Sequence, residues 1–283
     1  MDGTALINYD TLYLGLENGY FIALNPNIQS ATNTKKFNFP KEIFKIKLYN
    51  QQDLIDHNNN VVIESAPSFS NDKIFITSGA GYLYGFNTKT KNIDFSFKIG
   101  SDIDGSPVIT KDGNVLVAVE KQYIKGKGGM MLIDPRKHQD YCVVWYFPVR
   151  DTVFYDWQGG IIGTAAINDQ YIDKNRNSLT AFVAVDGFTY VVETELTEPN
   201  ITVPGPNNIT QYKTPQLVFK YYTGPSISTP IFFDDKLFVL TYQGIYMFGY
   251  DENCNFTLLK KKFVNKRRGN TYCSRQKTLC CFT

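Results

Sequence analysis

Long apolar runs are what this sequence most plainly lacks. No uninterrupted stretch approaches the roughly 18 residues that a membrane-spanning helix needs. Residues 1–12 have neither the basic start nor the apolar centre of a secretory leader. Histidine is nearly absent: His57 and His138 stand far apart, which excludes a histidine-rich zinc motif, and both read as solvated loop residues. No Gly-Lys-Ser phosphate loop and no nucleophile elbow occurs. Cysteine is scarce and uneven. Of five, Cys142 is alone in the body, in a Val-Val-Trp context that reads as a small core residue, while Cys254, Cys273, Cys280 and Cys281 crowd the C-terminus. An odd, clustered count is no disulfide framework.

Basic charge is also missing from most of the chain. Residues 260–283 hold eight Lys or Arg and no acid, leaving 21 basic against 27 acidic groups in the rest. The body is mildly acidic and shows no basic face interleaved with aromatics, which excludes nucleic-acid binding there. What the chain has in plenty is aromatic residues (21 Phe, 19 Tyr), 21 Gly and 12 Pro within 43% hydrophobic composition. That is enough apolar material to exclude disorder for most of the 283 residues, and it favours strands and turns over helices.

One unit recurs. Ser65-Ala66-Pro67-Ser68-Phe69, Gly105-Ser106-Pro107-Val108-Ile109 and Ser228-Thr229-Pro230-Ile231-Phe232 each open a short strand, and Gly163-Thr164-Ala165-Ala166-Ile167 is a variant without proline. A polar turn follows (Asn71-Asp72, Asp112-Gly113, Asn168-Asp169, Asp234-Asp235), then an alternating strand whose period of two suits a half-exposed sheet. A third strand starts at a glycine: Gly19-Tyr20-Phe21-Ile22, Gly81-Tyr82-Leu83-Tyr84, Gly128-Gly129-Met130-Met131, Gly187-Phe188-Thr189-Tyr190 and Gly244-Ile245-Tyr246-Met247 align. An outer strand carries an aromatic at Phe37, Phe95 with Phe97, Trp145 and Phe219. The spacing predicts five units, 4–39, 65–99, 105–148, 163–222 and 228–263, with 40–64, 171–178 and 197–216 as loops or edge insertions. Four-stranded repeats of about 40–50 residues make the blades of an all-β propeller; a β-sandwich has no reason to repeat the whole strand order.

The proline-started inner strand, Gly81-Tyr82-Leu83-Tyr84-Gly85-Phe86-Asn87 and the outer Trp145 resemble the repeat of pyrroloquinoline-quinone-type (quinoprotein) β-propellers, over residues 4–263. The resemblance implies a ring of about seven or eight blades, of which five are visible. The family includes alcohol and glucose dehydrogenases, an outer-membrane assembly lipoprotein that only binds proteins, and many extracytoplasmic proteins. Two functions follow. One is a non-catalytic scaffold binding a protein through its loop face and channel mouth, with no cofactor. The other is a fragment of a quinone (PQQ)-dependent, calcium-assisted alcohol or sugar oxidoreductase, whose family pattern includes adjacent cysteines; the one adjacent pair here, Cys280-Cys281, lies outside any blade. A structural repeat module of a larger cell-surface protein is a third reading. The resemblance implies a place outside the cytoplasm, as is common in the family, while the lack of an export signal in this chain leaves the cytoplasm open.

Residues just before each inner strand of a propeller ring one mouth of the channel. Here they are Glu64, Asp102, Asp104 and the run Arg150-Asp151 to Tyr155-Asp156-Trp157-Gln158. The acids serve a cation or a basic peptide, or simply form turns. Trp157 and Tyr155, aromatic in a polar loop, mark a binding patch or burial under a blade edge. The candidate contacts are therefore Trp157, Tyr155, Asp156, Arg150, Glu64 and Asp104, with no catalytic or metal-binding residue assigned. The segments Asn200-Ile201-Thr202, Asn208-Ile209-Thr210 and Asn255-Phe256-Thr257 are glycosylation sequons by pattern, of the number chance allows in so Asn- and Thr-rich a chain. Residues 264–283 depart from the repeat. They predict a basic tail touching anionic lipid or nucleic acid, or a break in the reading frame near Phe263 beyond which blades resume. Five blades alone predict a small closed ring or a chain that needs a partner.

Overall fold

The computed structural model describes residues 3–29, 40–171 and 177–263. It consists of five four-stranded antiparallel sheets in chain order, each with its strands adjacent in sequence. The first contains β1 (Leu6–Asn8), β2 (Thr11–Gly15), β3 (Tyr20–Gln29) and β4 (Pro40–Lys47), and is followed by a short helix α1 (Gln51–Asp56). The second contains β5 (Ser68–Ser70), β6 (Lys73–Ser78), β7 (Tyr82–Asn87) and β8 (Asn92–Lys98). β9 (Val108–Ile109), β10 (Val115–Val119), β11 (Gly129–Ile133) and β12 (Val143–Pro148) make the third. The fourth is β13 (Ala166–Ile167), β14 (Leu179–Val183), β15 (Phe188–Pro204) and β16 (Gln211–Tyr222). The fifth is β17 (Ile231–Phe233), β18 (Lys236–Leu240), β19 (Gly244–Tyr250) and β20 (Phe256–Phe263). These are the blades that the repeat predicts.

Each blade packs face to face on the next. Phe44 and Phe86 lie 4.7 Å apart between blades one and two, beside Tyr13 and Phe21. Phe75, Leu83, Val117 and Tyr146 fill the second boundary, Leu116, Trp145, Phe182 and Tyr190 the third, and Val191, Phe219, Phe232 and Phe248 the fourth. Among the described residues no such cluster joins blade five to blade one. This arrangement corrects the expectation of half-exposed strands. β10, β11 and β14 are buried at every position because a neighbouring blade covers both faces. In blade five the expected alternation holds: β18 and β19 alternate between buried and more open positions, and their open side shares a face with exposed Ile231, Phe233 and Leu240.

The recurring residue ahead of each inner strand has a physical task. The Ala66 amide donates to Ser106 Oγ (2.9 Å), the Ser106 amide to Thr164 Oγ1 (2.9 Å) and the Thr164 amide to Thr229 Oγ1 (3.2 Å). A chain of side-chain acceptors thus links equivalent positions of successive blades around the channel, which explains why a hydroxyl recurs there. Thr164→Val keeps the shape and removes the acceptor for the Ser106 amide. It is expected to cost about 1–3 kcal/mol in urea unfolding, whereas an unchanged midpoint would show that water replaces the bond.

Three local expectations are corrected. Residues 40–47 are not a loop or an edge insertion: β4 is the outer strand of blade one and brings Phe44 to its core, while 48–64 is a connection that carries α1; Phe37, the expected outer-strand aromatic, lies outside the described residues. Residues 197–216 are not a free loop. β15 and β16 continue through successive bulges into a bent hairpin that lies along β12, carrying Val203 and Tyr212 to the boundary between blades two and three, with the Gly126 amide donating to Pro206 O (2.7 Å). His57 is not solvated: it caps the C-terminus of α1 and is 1% exposed, against a Tyr123 ring 4.8 Å away. Cys142 is fully buried, as the sequence predicts, and burial pushes its thiol up to about 11. Asn200, Asn208 and Asn255 are all exposed. The tail calls, with Cys273, Cys280 and Cys281, fall outside the described residues.

Candidate binding face and channel mouth

Antiparallel order puts two kinds of connection at one end of every blade: the hairpin between its two central strands and the segment leading to the next blade. They are bonded to each other in the same way each time. The first residues after an outer strand donate to the hairpin glycine: Leu48 to Gly19 O (3.0 Å), Ile99 to Gly81 O (2.8 Å), Val149 to Gly128 O (2.9 Å) and Thr223 to Gly187 O (3.0 Å). Glycine is required at Gly81, where φ is +82° and a Cβ would come within 2.8 Å of Gly100 Cα. Glu64, Asp102, Asp104, the 150–160 segment and Tyr242 all belong to this face.

Four carboxyls gather at the mouth. Glu120, directly after β10, is 3% exposed, and it hydrogen-bonds the Asp104 side chain while its Oε1 has no partner. Burial, then the charges of Asp104 and Asp102, and more weakly that of Glu64, push its carboxyl up to about 10. The carboxyl therefore holds a proton at neutral pH, shared with Asp104. Asp102 is nearly buried and accepts from Asn60 Nδ2 (2.5 Å). The backbone below is fixed by Ser101 Oγ donating to Glu120 O (2.7 Å) and Thr77 Oγ1 donating to Gly105 O (2.8 Å).

The 150–160 segment is stitched to this acid. Glu120 pairs with Gly160 in an isolated bridge, and the Lys121 amide donates to Gly159 O (3.1 Å). The Gly160 carbonyl accepts from Val185 (3.0 Å), on the hairpin of blade four. At Gly160, φ is +83° and a Cβ would meet Val119 O at 2.6 Å, so only glycine lets the segment pass so close. Beyond this anchor the chain turns tightly: Phe154 N donates to Trp157 O (2.9 Å) and Trp157 N to Phe154 O (3.1 Å). The turn throws Tyr155 outward, 73% exposed with φ +52°. Its ring lies 4.6 Å from Phe154 and 5.9 Å from Tyr242, and Phe154 lies 4.9 Å from Tyr242. Three rings from two separate connections, one between blades three and four and one in blade five, thus form a surface cluster.

The residues named from sequence are placed unevenly. Tyr155 and Asp156 are exposed at the tip, Trp157 is half-buried at its base, and Arg150 is exposed and directs its charge toward Tyr190. Tyr190 in turn donates to a buried Asp186 (2.7 Å). Glu64 and Asp104 are half-buried beside Glu120. Sequence reasoning missed Glu120, Phe154 and Tyr242. A charged residue closing the all-apolar run Val115–Val119 was the signal for the first; for Tyr242 there was none, because its neighbours come from a distant part of the chain.

A calcium ion with a quinone requires ionised oxygen donors converging on one point. Among the described residues no three His, Cys, Asp or Glu side chains do so. Glu120, sharing a proton, is not an ionised donor. The carboxyls of this mouth do not fit that pair.

No family profile matches this sequence, and no curated protein matches it. Solved structures do. BamB from Moraxella catarrhalis superposes with a TM-score of 0.56 at 12% identity, covering 92% of this chain and 61% of that one. The quinohemoprotein alcohol dehydrogenase from Comamonas testosteroni gives 0.61 at 12% identity, covering 93% and 42%. The quinohemoprotein alcohol dehydrogenase ADHIIG from Pseudomonas putida HK5 gives 0.59 at 12% identity, with the same shares. The chain thus has the fold of these quinoprotein-type propellers and spans less than two thirds of the length of each. No helix among the described residues is long and apolar enough to cross a membrane.

Proposed function

We propose that the protein is a non-catalytic propeller scaffold, acting outside the cytoplasm, that binds a protein partner through its loop face and channel mouth. The observation that carries this reading is the cluster of exposed Tyr155 and Tyr242 around half-buried Phe154, on the face that holds the carboxyl mouth. Exposed aromatics gathered from separate connections are the usual anchors of protein interfaces, since they bury much area at small entropic cost. Trp157 supports the tip from below, while Asp156, Arg150, Glu64 and Asp104 supply charge around it.

A photo-crosslinking residue at Asp156, compared with one at Asp234 on the opposite face, tests the reading in the native cellular extract. One saturable adduct is expected from position 156, competed by unlabelled protein and lost in Tyr155→Ala/Tyr242→Ala, whose exposed side chains leave the melting temperature unchanged. Equal adducts from both faces, or an adduct indifferent to those two tyrosines, would overturn it. Under the enzyme alternative, incubation with the quinone and calcium produces a saturable, calcium-dependent absorbance change; that result would replace the scaffold.

A further inference from the structure

A carboxyl 3% exposed, with one oxygen unpartnered and other acids around it, is an expensive arrangement to bury. Its strongest electrostatic neighbours are all negative: Asp104, Asp102 and Glu64. Those three have partners of their own, Asp102 from Asn60 among them, so the unmet demand is at Glu120 Oε1. The groups that satisfy such an oxygen are hydrogen-bond donors carrying positive charge. A bare metal ion is the wrong occupant, because the carboxyls do not converge as ligands. A planar guanidinium or a primary ammonium needs no such convergence: each N–H takes one acceptor at ordinary hydrogen-bond distance. Glu120 is 3% exposed, so a side chain reaching it must displace the segment above it; that segment, bonded to Glu120 through Gly160, is the one that carries Tyr155 and Trp157. Aromatic faces on that same segment favour a cationic side chain arriving from the partner.

We propose that the channel mouth is a receptor for one cationic side chain, a guanidinium or ammonium borne by the docking polypeptide, with Glu120 Oε1 as its deepest acceptor and Asp104 beside it. The inference rests on the reading of this face as the docking face. On entry the cation takes the place of the proton that Glu120 shares with Asp104; that proton passes to solvent, and no covalent bond is made or broken. Affinity accordingly rises with pH.

Isothermal titration calorimetry of the full chain with butylguanidinium tests this, with butylammonium, butylurea and calcium chloride as companions. Saturable one-to-one binding of the two cations is expected, with none for butylurea. Heats should depend on the buffer's ionisation enthalpy, and binding should tighten between about pH 6 and about pH 8. Glu120→Gln should weaken binding by at least about tenfold, as loss of one charge-assisted hydrogen bond implies. Asp104→Asn, checked for an unchanged circular dichroism spectrum, should weaken binding and reduce the proton release, and so provides a second reading if the first variant fails to fold. Absence of saturable binding, equal affinity in both variants and wild type, or saturation by calcium alone overturns the assignment. Tyr155→Ala/Tyr242→Ala separates the two claims. If it loses the crosslinked adduct but still binds butylguanidinium, both stand; if the adduct never forms while the probe binds, the docking reading falls and the cation receptor stays.

Discussion

Trp145→Ala is expected to lower the unfolding free energy by about 3–5 kcal/mol. The indole is 0% exposed on β12, and its apolar body fills the boundary between blades three and four beside Phe182 and Tyr190. Its Nε1 donates to Thr194 O (2.8 Å), where β15 leaves blade four and begins the bent hairpin across blade three. The residue therefore holds two blades together twice, by packing and by a buried hydrogen bond. Trp145→Phe separates the two contributions. It keeps most of the apolar volume and leaves the Thr194 carbonyl without its indole donor, for about 1–3 kcal/mol. Equilibrium urea unfolding measures both. A loss below about 1 kcal/mol for the alanine variant would mean that the boundary collapses around the gap and that the blades are held elsewhere.

The second large effect is on the pH dependence of stability. Glu120 has its carboxyl raised from 4.5 to about 10 in the folded state, by burial first and by Asp104 and Asp102 next. Between those values the folded protein holds a proton that the unfolded chain releases. The stabilisation is complete below about pH 4.5 and drains as pH rises toward the folded value, at up to about 1.4 kcal/mol per pH unit. Glu120→Gln carries no titrating proton, so its stability should lie increasingly above that of wild type from about pH 5 to about pH 9. Parallel curves for the two proteins would show that the carboxyl ionises freely in the fold. His57 works in the opposite direction. Burial and then Lys98 depress its imidazole below 6.5, so its share of stability is present above that pH and lost as the protein is acidified.

The blades were legible in the sequence because the signals that build them are local. A hydroxyl or alanine ahead of the inner strand, a polar two-residue turn and a glycine before the third strand each act within a few residues, and each recurs. What failed to show was whatever depends on neighbours in space. Period-two alternation says that a strand has two kinds of face; it does not say that a second sheet covers the other one, as happens for β10 and β14. Composition alone does not single out Phe44 as an outer-strand aromatic; its packing against Phe86 does. The hairpin of β15 and β16 reads as loop because it is polar and holds Pro199, Pro204 and Pro206; its two anchoring residues, Val203 and Tyr212, meet a blade boundary some sixty residues upstream. At the mouth, topology alone places Glu64 and Asp104 near the channel. Glu120 required knowing that the strand before it is buried on both sides, since burial is what turns an ordinary acid into one that keeps its proton.

That proton is where the account of the mouth begins, and infrared spectroscopy observes it directly. The difference spectrum between wild type and Glu120→Gln at about pH 7.5 should contain the C=O band of a protonated carboxylic acid in the wild type, persisting to about pH 9 and fading on addition of butylguanidinium. A difference spectrum showing only ionised carboxylate at about pH 7.5 would contradict the account, because a mouth of fully ionised acids has no shared proton for an arriving cation to displace.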